Sequence, residues 1–208
     1  MLNLLRKDFI AIRSSLWTIL LYLVVFSFAF IPKSEMSMYF VGIYTAFGSI
    51  ILATMIDIKN HNHNFLVTLP VSRKNIVQAK YLSSILFTLF GVFASFGIHW
   101  LVDLNFPELN KPNYSVLDIM VSVGMVLVLV SIYMPLFYAL SKKGAGIING
   151  VFMVSLIVLA QPFALFMSMV NKEGMINGQV ITAISIGVIL MFCASYLLTI
   201  RLFSRKDL

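Results

Sequence analysis

The stretch VLDIMVSVGMVLVLVSIYMPLFYAL, residues 116–140, carries one charged residue, Asp118, and that lies near its start. As a helix it would rise roughly 37 Å at 1.5 Å per residue, more than the roughly 30 Å of a bilayer's hydrocarbon core. It is apolar all round, so it has no polar face to turn to water. Five more segments read the same way: residues 14–31, 38–56, 81–102, 145–170 and 178–200. The pattern predicts an all-α polytopic membrane protein with six transmembrane helices in one domain, residues 1–208.

Composition points the same way. Hydrophobic residues make up 60% of the 208 and charged residues 11%, against roughly 45–50% and about 25% in ordinary globular domains. The mean hydropathy is +0.96. Six crossings of roughly 20 residues leave fewer than about 90 for loops, too few for an ATPase or kinase domain.

The net charge is +7. In a soluble protein that would suggest nucleic acid; here the Lys and Arg sort by loop instead. With the N-terminus inside, the inner segments hold Arg6, Lys7, Arg13, Lys59, Arg73, Lys74, Lys80, Lys142, Lys143, Arg201, Arg205 and Lys206. The outer segments hold Lys33, Lys111 and Lys172. This bias predicts that both termini are cytoplasmic, with no nucleic-acid partner. The first segment follows Arg6 and Lys7 as a signal peptide would, but its apolar stretch is longer than an h-region, so an uncleaved span is expected. Asn113-Tyr114-Ser115 is a formal glycosylation sequon on the outer side. In residues 1–13, Leu2, Leu5, Phe9 and Ile12 recur at helical spacing, as in an amphipathic helix lying in the interface; the alternative is an extension of the first span. The single cysteine, Cys193, makes no intrachain disulfide and reads as a small packing residue.

Much chemistry is missing. There is no G-x-x-x-x-G-K-[ST], no H-E-x-x-H and no G-x-S-x-G, so neither nucleotide hydrolysis nor hydrolase chemistry is expected of this chain. His61 and His63 are two residues apart and point to different sides of a helix, which argues against a metal site. Within the segment limits only His99 and Asp118 can ionise, so an ion-driven carrier is not expected. Pro135 and Pro162 each remove a helical hydrogen bond and should mark a kink or break; Gln161 beside Pro162 strengthens the second, because a glutamine at membrane depth needs a partner.

The connection between the second and third segments is the informative one. Ile58, Phe65, Leu66 and Leu69 fall along one side of a helix over residues 57–69, with Lys59, Asn60, His63 and Thr68 away from it. Pro70 ends that helix, and Ser72 can cap the next. Residues 69–82, LPVSRKNIVQAKYL, resemble the L-P-V-S-R-K-x-I-V-x-x-K-Y-L stretch of small ATP-binding cassette type-2 exporter permeases. The six-segment layout is similar to theirs over essentially the whole chain.

The resemblance implies the membrane half of an ATP-driven exporter, working by alternating access. The loop before the third span would then be the coupling helix that docks into a separate ATPase subunit. Asp57, Lys59, Asn60, His61, Asn64, Phe65, Leu66 and Arg73 are its contacts by this reading, with Pro135, Gln161 and Pro162 on the pathway. Where relatives carry acids in this loop, this chain follows Asp57 with an Asn/His run. ATP and Mg belong to the partner subunit and no cofactor to this chain. A second permease copy or homologous permease completes the pathway in a bacterial plasma membrane. The layout looks most like Gram-positive peptide or drug exporters, including those of phenol-soluble modulins. A pathway rich in Phe, Met and Tyr suits a hydrophobic or amphipathic cargo such as a peptide, drug or lipid. The competing reading is a non-transporting membrane sensor or scaffold that binds a cytosolic partner through the 57–69 loop.

Overall fold

A computed structural model describes residues 2–13, 15–31, 36–60, 72–106, 108, 114–140, 144–155, 158 and 178–205. All the regular structure among them is helical: α1 (Leu2–Arg13), α2 (Leu16–Phe30), α3 (Ser37–Lys59), α4 (Arg73–Asn105), α5 (Val116–Ala139), α6 (Gly144–Ser155) and α7 (Gly178–Ser204). Four of these, α3, α4, α5 and α7, are long and apolar enough to cross a bilayer. The protein is embedded in the membrane through them. Two more of the six expected spans correspond to shorter apolar helices, α2 and α6. At 33 residues, α4 is about 50 Å long and outreaches the hydrocarbon core.

Helix α3 is the centre: every side chain from Ser37 to Ile51 is buried. Its main neighbour is the antiparallel α4, and the contact is a seam of small residues. A Cβ added at Gly91 would lie 2.5 Å from the Ala46 backbone N and 2.6 Å from its Cα. One turn along, a Cβ on Gly42 would lie 3.5 Å from Ser95 Cβ. Small residues let helices approach where lipid supplies no hydrophobic drive for them to associate. On the other side of α3, aromatic rings of α2 stack: Phe30 lies over Phe40 at 5.1 Å and over Tyr44 at 5.7 Å. Most of α7 and one face of α5 are exposed, with Ile184, Ile189, Leu190, Leu197, Ile132 and Leu136 outward, as expected of lipid-facing surface. Cys193 is also exposed rather than packed inside.

Several hydroxyls at membrane depth are satisfied by their own helices, although the buried Thr45 Oγ1 has no partner among the described residues. Ser49, Ser84, Thr88, Ser122, Ser131 and Thr199 each donate to the carbonyl four residues earlier, which removes a cost that hydrocarbon cannot offset. Helix α5 runs unbroken through Pro135. The proline has no N–H for the Ser131 carbonyl, and Ser195 Oγ of α7 donates to that carbonyl at 2.7 Å instead. Gln161 and Pro162 lie outside the described residues.

Candidate functional site

One end of the bundle gathers α1, the end of α3, the start of α4 and the ends of α5 and α7. There Lys80, in the early turns of α4, is buried at 5% exposure, beside Asp8 of α1 and Asp57 of α3, each at 3%. Lys80 Nζ donates to Asp57 Oδ2 and lies 3.3 Å from Asp8 Oδ1. Lys7 Nζ is 3.1 Å from Asp57 Oδ1 and 3.2 Å from Asp8 Oδ1. Ser83 Oγ donates to Asp8 Oδ2 at 2.8 Å. The Lys7–Asp8 dipeptide of α1 therefore meets the Asp57–Lys80 pair with opposite signs facing. Two charges of each sign cancel, and buried ions are tolerable only with such pairing and hydrogen bonding. A small cavity lies alongside, lined by Leu4, Ile76, Ala79 and Tyr138 as well as the charged groups.

This cluster lies just outside the stretches expected to be nearly free of charge. Asp57 sits one residue beyond the expected 38–56 segment and Lys80 one residue before 81–102, yet both belong to the packed helices α3 and α4. Asp57, expected in the docking segment, points into the bundle as a partner of two lysines. The reason is electrostatic: a paired carboxylate and ammonium enter a helix bundle far more cheaply than either alone.

Ser72 and Arg73 of the LPVSRK stretch each have a defined partner, while Lys74 is exposed. Ser72 caps α4 as expected, accepting from the Asn75 backbone N–H at 3.2 Å. Arg73 Nη1 donates to the Phe203 and Ser204 carbonyls at 3.0 and 3.1 Å, and its guanidinium lies 5.8 Å from the Phe203 ring centroid. A cation on the last carbonyls of α7 meets the negative end of that helix. Tyr81 Oη lies 2.7 Å from Ser195 Oγ and 2.8 Å from Thr199 Oγ1. So Arg73, Lys80 and Tyr81 bind α4 to α7, to α1 and α3, and again to α7. Lys59 is the last residue of α3 and Asn60 its exposed cap. His61, His63, Asn64, Phe65 and Leu66 lie outside the described residues, as do the side chains of Leu2, Leu5, Phe9 and Ile12. No group of three His, Cys, Asp or Glu able to hold a metal occurs among the described residues.

At the opposite end a second polar cluster joins α3, α4 and α5. His99 Nδ1 faces the Ser95 carbonyl at 2.8 Å, and a carbonyl only accepts, so that nitrogen carries a proton. Its Nε2 lies 2.9 Å from Ser37 Oγ, which in turn is 3.2 Å from Tyr114 Oη. Tyr39 Oη donates to Asp118, which also closes the capping box with Ser115 at the start of α5. Both ionisable residues noted inside the segments are thus structural fastenings between helices.

A family model described as "ABC-2 family transporter protein" matches residues 3–204. The chain belongs to the ABC-2 family of transporter membrane proteins. No curated protein and no solved structure matches it. As an ABC-2 membrane component, it is of the kind that pairs with a separate ATP-binding cassette subunit, where the ATP is hydrolysed. Motif and span patterns do not single out Lys7, Asp8, Lys80 and Ser83 as a site. A weaker signal for them exists: Asp8 and Asp57 are acids in segments otherwise dominated by Lys and Arg.

Proposed function

We propose that this ABC-2 protein is the permease subunit of an exporter for hydrophobic or amphipathic cargo of the peptide, drug or lipid kind. It crosses the membrane six times, with α1 on the cytoplasmic surface, and pairs with a second permease to complete the pathway. Residues 57–69 include the element that engages the ATPase, and the spans alternate between inward- and outward-open arrangements. The observation that carries this reading is the placement of the connection between α3 and α4. It leaves α3 after Lys59, two residues past Asp57, and enters α4 at Arg73, about two turns before Lys80, so both flanking helices are tied to the ion cluster that also holds α1. A push on such a loop reaches three helices at once through charge pairs, not through one flexible hinge. The phenol-soluble modulin type is the narrower version of the same proposal and rests on layout alone.

The docking contact is tested directly. Apolar anchors ringed by polar groups carry most of the affinity at protein contacts, with truncation costing on the order of 2 kcal/mol or more. Phe65→Ala with Leu66→Ala should therefore strip the ATPase subunit from the purified complex, by roughly 30-fold in affinity, while expression and membrane insertion stay normal. Retention of the ATPase by this variant would move the contact to Asn60, His61 and Asn64, and retention after those are changed too would remove the loop from the mechanism.

Orientation has its own test. In a Cys193→Ser background, cysteines at Asn62 and Lys143 should react with an impermeant thiol reagent only from the cytoplasmic side, and one at Asn110 only from outside. Cys193 is removed first so that each introduced cysteine is the sole thiol of the chain. Reversed labelling would overturn the orientation and the docking assignment together.

A further inference from the structure

Among the described residues, the acids at the α1 end of the bundle, Asp8 and Asp57, are turned inward and neutralised by Lys7 and Lys80. What the described residues leave outward at that end is cationic: Arg6, Arg13, Lys59, Lys74, Arg201 and Arg205 are all exposed. On α1 the exposed charges have an order. Arg6, Ile10 and Arg13 fall four and three residues apart, on the side of the helix away from the buried Leu4 and Asp8. Ile10 is 59% exposed between its two arginines, and Trp17, four residues further at the start of α2, is 82% exposed.

We infer that the Arg6–Ile10–Arg13 face of α1, with the exposed Trp17 that follows at the start of α2, is a binding surface for anionic phospholipid headgroups. Two guanidiniums offer forked donors to phosphate oxygens. The isoleucine between them and the tryptophan beyond sit where an acyl chain begins, the depth at which indole rings concentrate. A protein partner would explain the arginines but leaves an isolated Ile and a nearly bare Trp without a complementary pocket. A lipid surface takes all four. The inward pairing of the acids is what makes the stripe work, since an outward Asp8 would repel the same headgroups. Bound lipid would hold α1 down on the ion cluster, so membrane composition and the fastening of α3 and α4 become linked.

The test uses the full-length protein purified in zwitterionic detergent, with phosphatidylglycerol or phosphatidylcholine of identical chains added, and measures lipid retention and the thermal midpoint. Phosphatidylglycerol should be retained and raise the midpoint, phosphatidylcholine should not, and high salt should abolish the difference. Arg6→Gln with Arg13→Gln should weaken retention by roughly tenfold or more. Arg6→Lys with Arg13→Lys should keep most of it, and Arg205→Gln, off the stripe, all of it. If the Gln pair does not fold, the Arg13→Gln single variant and the salt dependence of the native protein decide the same question. Equal retention of both lipids, or full retention by a folded Gln pair, overturns the proposal. Equal stabilisation by glycerol phosphate alone also overturns it, because the site would then bind a free anion and no lipid surface. Failure here leaves the transporter reading intact, since that depends on the ATPase contact.

Discussion

Replacing Lys80 by methionine should destabilise the protein by roughly 3–5 kcal/mol, the cost of leaving a buried charge without its partner. Among the described residues, Lys80 is the cation that reaches both Asp8 and Asp57 from a buried position, and the two carboxylates are 3% exposed. Lys7 cannot substitute: its side chain is 29% exposed and it approaches from the rim. Lys7→Met should accordingly cost much less, about 1 kcal/mol, in the range of a partly screened pair. The double variant Lys80→Met, Asp57→Asn removes one charge of each sign and leaves Lys7 opposite Asp8. It should cost distinctly less than the sum of the two single changes, a coupling that a double-mutant cycle measures. The readout is the unfolding transition of each purified variant in detergent micelles. A Lys80→Met protein that unfolds like the parent would mean that the cluster does not fasten α1, α3 and α4.

Gly91→Ala should be the most damaging of the small substitutions, at about 3 kcal/mol, the upper part of the range for overpacking. The new methyl would meet the Ala46 backbone at 2.5 and 2.6 Å, and backbone cannot rotate away as a side chain can. The only relief is to part α3 from α4 along the seam. Ala46→Gly should not rescue it, because two of the three atoms encountered, the N and Cα, remain. Gly97→Ala and Gly124→Ala are the controls: nothing lies within 4 Å of either new methyl, so neither should cost packing energy. A Gly91→Ala variant as stable as these controls would show that the helices stand further apart than the structure has them.

The four long spans are legible in the sequence because apolar length is a local property, and Ser72 is legible as a cap because serine before a basic first turn is a local pattern too. The cluster is not. Asp57 and Lys80 lie just outside segments bounded by their first charge, and nothing in a hydropathy pattern says that two such charges will meet and cancel. Asp8 reads as one charge among several on an amphipathic helix, although its place four residues after Leu4 puts both on the face that turns inward. Tyr81 and Ser195 are 114 positions apart; that contact depends on how α4 and α7 pack, which no short pattern encodes. Pro135 shows a middle case. The lost hydrogen bond is readable from the residue alone, but the Ser195 hydroxyl that takes the freed carbonyl is not.

The spacing of the cluster along the chain sets an order of biogenesis. Asp57 and Lys80 are 23 positions apart and sit at facing ends of one helical hairpin, so they can pair as soon as α3 and α4 are both in the bilayer. Lys7 must wait for a partner 50 positions later, and Asp8 for one 72 positions later. Helix α1 leaves the ribosome before that hairpin and can close onto it only after both of its helices are made. Until then its Lys7–Asp8 dipeptide lacks Asp57 and Lys80 as partners, and its docking marks the point at which α1, α3 and α4 are joined.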